Sequence, residues 1–134
     1  MLRVKTCLDK SQIDGIGVFA NENIKVGQVV WHFVPSLDRV LDVTEWFAIS
    51  EAGHPLDRNF LRKYAFLDIQ TDKLILSGDN DRFTNHSGSP NTRPNEIGDM
   101  IAVRDIMKGE EITANYYEID RYADNKLHIS LFTE

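Results

Sequence analysis

The sequence contains only one cysteine, Cys7, among its 134 residues. A single cysteine cannot form an intramolecular disulfide, and no cluster of Cys and His residues has the spacing of metal ligands. No apolar run approaches the roughly 20 residues that a membrane-spanning helix needs, and the N-terminus lacks the long apolar segment of a signal peptide. We therefore expect no metal site and no membrane contact. The expected location is a reducing cytoplasm, or a host nucleus if the chain is viral or a delivered effector.

Basic residues are also fewer than acidic residues in this chain. The chain has 15 Lys and Arg residues against 21 Asp and Glu residues, which gives a net charge of −6. Because phosphate contacts need a basic face, direct binding to nucleic acid is disfavoured. Acids near the C-terminal end would attract a basic peptide, although acids at turns also serve simply to keep a surface hydrated. These acids are Asp79, Asp81, Glu96, Asp99, Glu110, Glu111, Glu118, Asp120 and Asp124.

Short segments rich in Val, Ile, Phe and Tyr alternate with turn signals along most of the chain. This pattern predicts a single, mostly β domain over residues 1–134 with few short helices. An insert at roughly residues 36–63 interrupts the pattern, and a tail follows at residues 119–134. A tight hairpin link is predicted at residues 71–72. Strands are predicted at residues 3–8, 17–20, 28–34, 64–70, 73–77, 100–104 and 111–116.

Helical signals are few and lie mainly in the insert. Thr44 is placed to cap a helix over residues 45–52, with Gly53 as its stop. Asp57 is the expected start of a second short helix that runs to Leu61. A last short helix is predicted at residues 119–125.

Two segments far apart in the chain have similar sequences. Residues 24–30 (IKVGQVV) and 106–112 (IMKGEEI) share an Ile, a Gly and a terminal β-branched residue at equal spacing. Each segment predicts a glycine turn that leads into a strand. Because the two copies lie far apart in sequence, they indicate a β architecture folded over on itself and not a stacked repeat.

Residues 82–91 (RFTNHSGSPN) combine two amides, an imidazole and two serine hydroxyls in a segment broken by Gly88 and Pro90. Such a segment forms neither a regular helix nor an inner strand. Polar side chains and backbone groups therefore converge here, as a ligand site requires. His86 alone would be an ordinary loop histidine, and a metal-binding role is not expected because no partner ligands lie nearby in sequence.

Three motifs in order resemble the SET-domain family of protein lysine methyltransferases. They are residues 15–19 (GIGVF), residues 85–91 (NHSGSPN) and residues 109–116 (GEEITANY). The resemblance covers about residues 3–118. It implies a β-clip fold with a knot-like C-terminal crossing, and with cofactor and peptide on opposite faces joined by a narrow channel.

The resemblance also implies roles for individual residues. Tyr116 is expected to be the catalytic residue, orienting the reactants through its phenol, and Tyr64 resembles a second channel aromatic. Asn85 and His86 are expected to contact the two ends of S-adenosylmethionine. Ser87, Pro90 and Asn91 are expected to hold the loop in shape. The full set of implied cofactor-binding residues is Ile16, Gly17, Phe19, Arg82, Phe83, Asn85, His86 and Tyr116.

The chain departs from the family pattern in three places. Asn115 replaces the usual Asp before the catalytic Tyr, and Ala114 stands where several relatives have Phe or Tyr. A C-terminal zinc-binding cysteine cluster, which closes the channel in many relatives, is absent from the sequence. The tail around Tyr117, Tyr122 and Leu127 is expected to close the site instead, or a second subunit does so in a homodimer.

The expected reaction is methyl transfer from S-adenosylmethionine to a lysine side-chain amine within a basic segment of a protein. Two alternatives stay open on the sequence alone. One is a catalytically weak SET-like module that binds the cofactor or a basic peptide without turnover. The other is an enzyme that methylates a small amine.

Overall fold

The apolar segments between turns form short strands in a computed structural model that describes residues 1–127. Within that range the strands are β1 (Thr6–Lys10), β2 (Ile16–Ala20), β3 (Val29–Trp31), β4 (Arg39–Leu41), β5 (Phe66–Leu67), β6 (Leu74–Leu76), β7 (Asn85–His86), β8 (Thr92–Pro94), β9 (Met100–Ala102) and β10 (Thr113–Ala114). They make four small sheets in the described chain: β1-β2, β4-β6-β5, β3-β9-β8 and β7-β10. The mostly β fold with few short helices is confirmed.

The two segments of similar sequence lie against each other. Ile24 and Ile106 form an antiparallel bridge in which each N–H donates to the other's carbonyl at 2.8 Å. Gly27 and Gly109 occupy equivalent turns with φ of +86° and +95°, a region that disfavours residues with a Cβ. The expected folded-over β architecture is therefore confirmed, since the two halves pair about this bridge.

The main core includes the paired isoleucines. Its buried members are Val18, Ala20, Ile24, Val30, Ala102, Ile106 and Ile112. Burying one large aliphatic side chain contributes about 1.5–3 kcal/mol before chain entropy is counted. The strands that carry the glycine motif and the last motif thus share one core, which fixes those motifs relative to each other.

The insert begins with β4 and continues into two helices, α1 (Val43–Ser50) and α2 (Pro55–Tyr64). The prediction that Thr44 caps the first helix is wrong. Asp42 is the cap: its side chain accepts from Glu45 N–H at 2.7 Å, and the Glu45 carboxylate accepts from Asp42 N–H at 3.4 Å. This reciprocal capping box satisfies two donors at once, so the helix starts one residue before Thr44.

The second helix starts earlier and ends later than predicted. Its cap is His54, whose Nδ1 accepts from Leu56 N–H at 3.2 Å, and Pro55 fills the first turn, where a proline costs no hydrogen bond. The helix runs to Tyr64, so the predicted strand at residues 64–70 shrinks to Phe66–Leu67. The hairpin link is confirmed: Asp72 adopts φ +58° between β5 and β6.

The end of the described chain contains two short helices, α3 (Tyr116–Ile119) and α4 (Ala123–Leu127), where the sequence predicts one at residues 119–125. Asn115 ends β10 early because its Oδ1 accepts from Tyr117 N–H at 3.0 Å and caps α3. Residues 128–134 of the predicted tail, with His128, lie outside the described residues. In the described part of the chain, no helix has the length and apolar character needed to cross a membrane.

Candidate functional site

Two of the sequence motifs are joined by a parallel strand pair. In β7, Asn85 pairs with Thr113 and His86 pairs with Ala114 of β10. The chain continues from His86 into Ser87, whose N–H donates to the Ala114 carbonyl at 3.0 Å. The pairing sets the Asn-His segment beside the strand that leads into Tyr116. Whether this arrangement also makes a knot-like crossing stays a prediction.

Asn91 locks the same two segments together from inside. It is only 2% exposed. Its Nδ2 donates to the Glu111 carbonyl at 2.8 Å, and its Oδ1 accepts from Thr113 N–H at 2.8 Å. Because both halves of a buried carboxamide are satisfied by one strand, the amide fixes the register of that strand. This agrees with the expectation that Asn91 holds the loop in shape.

Asn85 connects the glycine motif to the site. Its Nδ2 lies 3.0 Å from the Asp14 carbonyl, 3.3 Å from the Ile16 carbonyl and 3.0 Å from Glu111 Oε2. The side chain thus holds the loop that enters β2 against the last motif. The observed contacts of this amide are structural, and the implied contact with a cofactor stays a prediction.

Glu111 is a site residue that the sequence reasoning missed. Its carboxylate accepts from Ser11 Oγ at 2.8 Å and from Asn85 Nδ2 at 3.0 Å. A Cβ on Gly17 would lie 2.5 Å from Glu111 Oε2, so a larger residue at position 17 would displace the Glu111 carboxylate from this place. The carboxylate therefore links the first and last motifs. The signal for it in the sequence is an acid directly before the apolar Ile112 of the last motif.

His86 and Tyr116 form the centre of the candidate site. Tyr116 N–H donates to His86 Nδ1 at 3.1 Å, and the ring centroids lie 5.3 Å apart. Because Nδ1 accepts, the neutral ring carries its hydrogen on Nε2. Burial lowers the pKa of His86, which favours this neutral form.

The Tyr116 phenol is held in place and stays protonated. Its hydroxyl donates to the Thr84 carbonyl at 2.6 Å. Burial raises the pKa of Tyr116, and the carboxylates of Asp14 and Asp81 raise it further, since they disfavour a nearby phenolate. At neutral pH this group is therefore an oriented hydroxyl and a poor base.

Two cavities meet at Tyr116. The larger one, an open cleft of about 1850 Å³, is bordered by the glycine loop, the Asn-His segment and the insert. The smaller one, of about 160 Å³, lies towards β3 and β10 and is lined by Trp31, Met100 and Ala114. Both cavities are bordered by Tyr64, Thr84 and Tyr116. The two cavities therefore adjoin at the hydrogen-bonded pair of Tyr116 and Thr84.

Most of the implied site residues lie on these walls. Tyr64, Arg82 and Tyr116 border both cavities, and the large cleft is also bordered by Ile16, Phe83, Asn85 and His86. Gly17 and Phe19 do not border either cavity. Successive residues of a strand face opposite sides, so Gly17 and Phe19 share the face turned away from Ile16, and Phe19 bridges to Glu111 there.

Tyr64 reaches the site from the end of α2 and not from a strand. Its ring meets Phe83 edge-on, with centroids 5.4 Å apart. The Arg82 guanidinium lies 5.7 Å from the Phe60 ring centroid and 6.0 Å from that of Phe83. Residues of α2 and the Arg82-Phe83 segment thus form an aromatic wall with a cation beside it, which the strand assignment at residues 64–70 did not predict.

The C-terminal segment of the described chain contacts α1 and borders the large cleft. Tyr122 stacks on Trp46 of α1, with centroids 6.3 Å apart and planes 7° from parallel. Tyr122 and Leu127 border the large cleft, as expected for residues that close it. Tyr117 is exposed and touches His86 edge-on at 5.8 Å. Closure of the site by a homodimer partner stays a prediction.

The acids expected to attract a basic segment differ in their surroundings. Glu110 lies 3.5 Å from Arg104 and Glu118 lies 3.5 Å from Arg93. Asp120 is buried, and its Oδ1 accepts from the backbone N–H groups of Leu67 and Tyr122 at 3.1 and 2.9 Å. Asp120 therefore holds the C-terminal tail in place and contributes little to the charge of the surface.

Two of these acids, Asp81 and Asp120, border the small cavity, as does Asp68. Across residues 1–127, no three His, Cys, Asp or Glu side chains are grouped closely enough to hold a metal ion.

Comparisons with known proteins agree with this geometry. The SET domain family model matches residues 15–117. The chain is 30% identical over 123 residues to the Saccharomyces cerevisiae histone-lysine N-methyltransferase, H3 lysine-36 specific, covering 84% of this chain and 16% of that protein. It is 32% identical over 121 residues to the Plasmodium falciparum variant-silencing SET domain-containing protein, covering 81% of this chain and 5% of that protein.

The fold of this chain is also similar to that of solved structures. A Polycomb repressive complex 2 structure, titled ctPRC2 in an autoinhibited conformation bound to S-adenosylmethionine, superposes with a TM-score of 0.68. The identity is 23%, and the match covers 95% of this chain and 17% of that one. The chain therefore spans about a sixth of the yeast relative and of this structural neighbour. The match to residues 15–117, together with the three motifs and their packing, shows that this chain belongs to the SET-domain family.

Proposed function

We propose that this protein transfers a methyl group from S-adenosylmethionine to a lysine side-chain amine of a protein. The observation that carries the proposal is the meeting of two cavities at the oriented Tyr116 hydroxyl. One cavity is wide enough for a nucleoside-sized cofactor, and the other is a narrow, largely apolar channel. The names of the yeast and other fungal relatives, which are histone-lysine N-methyltransferases, support the same reaction.

The walls of the large cleft fit the cofactor. Phe83 and Tyr122 offer aromatic faces for an adenine ring. Arg82 offers a cation for a carboxylate, and the Nε2–H of neutral His86 offers a donor for a neutral acceptor. When bound, S-adenosylmethionine supplies a methyl group made reactive by its bond to a positively charged sulfur.

The chain's own residues then prepare the acceptor amine. Free lysine has a pKa of about 10.4, so it must lose a proton before it can attack a methyl group. The apolar lining of Trp31, Met100 and Ala114 lowers the pKa of an inserted amine by desolvation. The Tyr116 hydroxyl, fixed on Thr84, orients the reacting groups, and alignment of this kind contributes several kcal/mol to the reduction of a barrier.

The substrate we propose is a lysine within a basic segment. Support comes from the net charge of −6 and from the Asp68 carboxylate on the wall of the small cavity, which favour an approaching basic segment. The location we propose is the cytoplasm, or a host nucleus in the case of a viral or delivered protein.

The test is incubation of the purified protein with methyl-labelled S-adenosylmethionine, core histones and a whole-cell lysate. We expect label on lysine residues of one or a few proteins, located by peptide mass spectrometry. Binding of S-adenosylhomocysteine without transfer to any protein would instead support a binding module. Label found only in the small-molecule fraction would support a small-amine methyltransferase.

A further inference from the structure

A lysine of the protein itself already lies at the point where the two cavities meet. Lys126, on α4, borders both cavities, and its side chain is only 15% exposed. Its Nζ lies 5.8 Å from the centroid of the Tyr116 ring. Under the proposed function, this is the position that the amine of a substrate must reach.

Lys126 is held at this position by the backbone and by one carboxylate. Its N–H donates to the Tyr122 carbonyl at 3.2 Å, which continues the turn of α4. Its Nζ lies 2.7 Å from Asp120 Oδ2, and Asp120 is itself anchored by Leu67 and Tyr122. The ammonium group is therefore held in the site by its contact with Asp120, whereas an unpaired lysine side chain on a surface has no fixed position.

Two other lysines border the same cavities but differ in their surroundings. Lys63 and Lys73 are exposed, and their Nζ atoms lie over the rings of Tyr64 and Phe33, at 5.5 and 6.0 Å from the centroids. Lys126 alone among these three combines burial with a position over Tyr116. Burial lowers the pKa of Lys126, although Asp120 opposes this, so loss of its proton is easier than in water.

We infer that Lys126 is an intramolecular methyl acceptor, so that the protein methylates its own C-terminal helix. This inference rests on the proposed function, because it uses the same cofactor and the same reaction. In the reaction the bond between sulfur and the methyl carbon breaks and a bond between that carbon and Nζ forms. The sulfonium becomes a neutral thioether, and the ammonium proton passes to the neighbouring Asp120 carboxylate and from there to water.

Methylation would alter the contact that holds the helix. A methylated amine keeps its positive charge but has fewer N–H donors and more bulk, so its pairing with Asp120 changes. Because α4 borders the cleft, the modification would change how the tail covers the site. Because the acceptor lies in the same molecule as the site, the rate of this reaction does not depend on the protein concentration.

The experiment uses the purified full chain and S-adenosylmethionine carrying a trideuterated methyl group. Peptide mass spectrometry should find the heavy methyl on Lys126, with a half-time that does not change when the protein is diluted. Lys126→Arg keeps the cation beside Asp120 but removes the acceptor, so the label should fall to background. Lys25→Arg, at an exposed lysine outside both cavities, should leave the label unchanged.

Parallel reactions with core histones separate this inference from the proposed function. If histones are methylated and Lys126 is not, the inference is wrong and the function stands. If neither Lys126 nor any protein among the histones and the whole-cell lysate is methylated, both are wrong. Label on Lys63 or Lys73 in place of Lys126, or a rate that rises with protein concentration, would also overturn it. Because the wild-type label is mapped directly, the result holds even if Lys126→Arg fails to fold.

Discussion

At the scale of single residues, buried polar side chains hold the site together. Asn91 bonds to the strand of the last motif, Asn85 ties down the glycine loop, and Glu111 lies between Asn85 and Ser11. Each of these groups would be costly to bury alone, and each is satisfied by a partner far away in sequence. The motif residues therefore contribute to the fold as well as to the surface of the site.

Replacing Asn91 by Ala should lower the free energy of unfolding by about 2–3 kcal/mol. The change leaves the Glu111 carbonyl and the Thr113 N–H without partners in a buried place. Urea titration followed by circular dichroism measures the loss. Asn21→Ala, at an exposed position, is the matched control and should change stability by less than about 0.5 kcal/mol. Equal stability of the Asn91 and Asn21 variants would refute the locking role.

Asp81 should make stability depend on pH. Burial, with a smaller contribution from the neighbouring Asp79, raises the pKa of its carboxyl from the usual 3.8 to about 6. Between pH 4 and 6 the folded state keeps a proton that the unfolded state has lost. The free energy of unfolding therefore falls as pH rises through this window, by up to about 3 kcal/mol.

Asp81→Asn removes this titration, so its stability should fall less than that of the wild type between pH 4 and 7. Thermal unfolding across this range is the measurement. Asp9→Asn, at an exposed carboxylate, should keep the wild-type slope. Parallel pH profiles for wild type and Asp81→Asn would contradict the assignment.

At the scale of elements, the insert positions two walls of the site. The α2 helix delivers Tyr64 to both cavities, and α1 presents Trp46 to the stacked ring of Tyr122. The cap of α1 therefore matters beyond the helix itself, because the helix supports Tyr122, which borders the cleft.

Asp42→Ala should lower the free energy of unfolding by about 1 kcal/mol, since both bonds of the capping box are lost. Thr44→Ala is the informative comparison, because Thr44 is the cap that the sequence predicts and the helix places it in its first turn. We expect the Thr44 variant to be as stable as the wild type or slightly more stable, since alanine favours a helix. If Thr44→Ala is less stable than Asp42→Ala in thermal unfolding, the assignment of Asp42 as the cap is wrong.

At the scale of the whole molecule, the sequence predicted the parts of the site that depend on local chemistry. Gly27 and Gly109 were predicted at turns because only glycine suits a positive φ there. The segment at Asn85 was recognised because its composition excludes regular structure. What escaped prediction depends on distant contacts: Tyr64 is placed by the length of α2, Glu111 by its approach to Gly17, and Lys126 by the buried Asp120.

The central claim is that methyl transfer takes place beside the Tyr116 hydroxyl. Tyr116→Phe removes that hydroxyl and its bond to Thr84 but keeps the ring that borders both cavities. Tyr117→Phe removes the same group at a neighbouring, exposed position that borders neither cavity and serves as the matched control.

The most direct measurement compares these variants with the wild type for two quantities: the rate of label transfer to protein lysine, and the affinity for S-adenosylhomocysteine by calorimetry. The account predicts that Tyr116→Phe binds the ligand like the wild type and transfers methyl at least tenfold more slowly, a loss of about 1.4 kcal/mol or more in transition-state stabilisation. Tyr117→Phe should match the wild type in both quantities. Wild-type transfer by Tyr116→Phe would contradict the account.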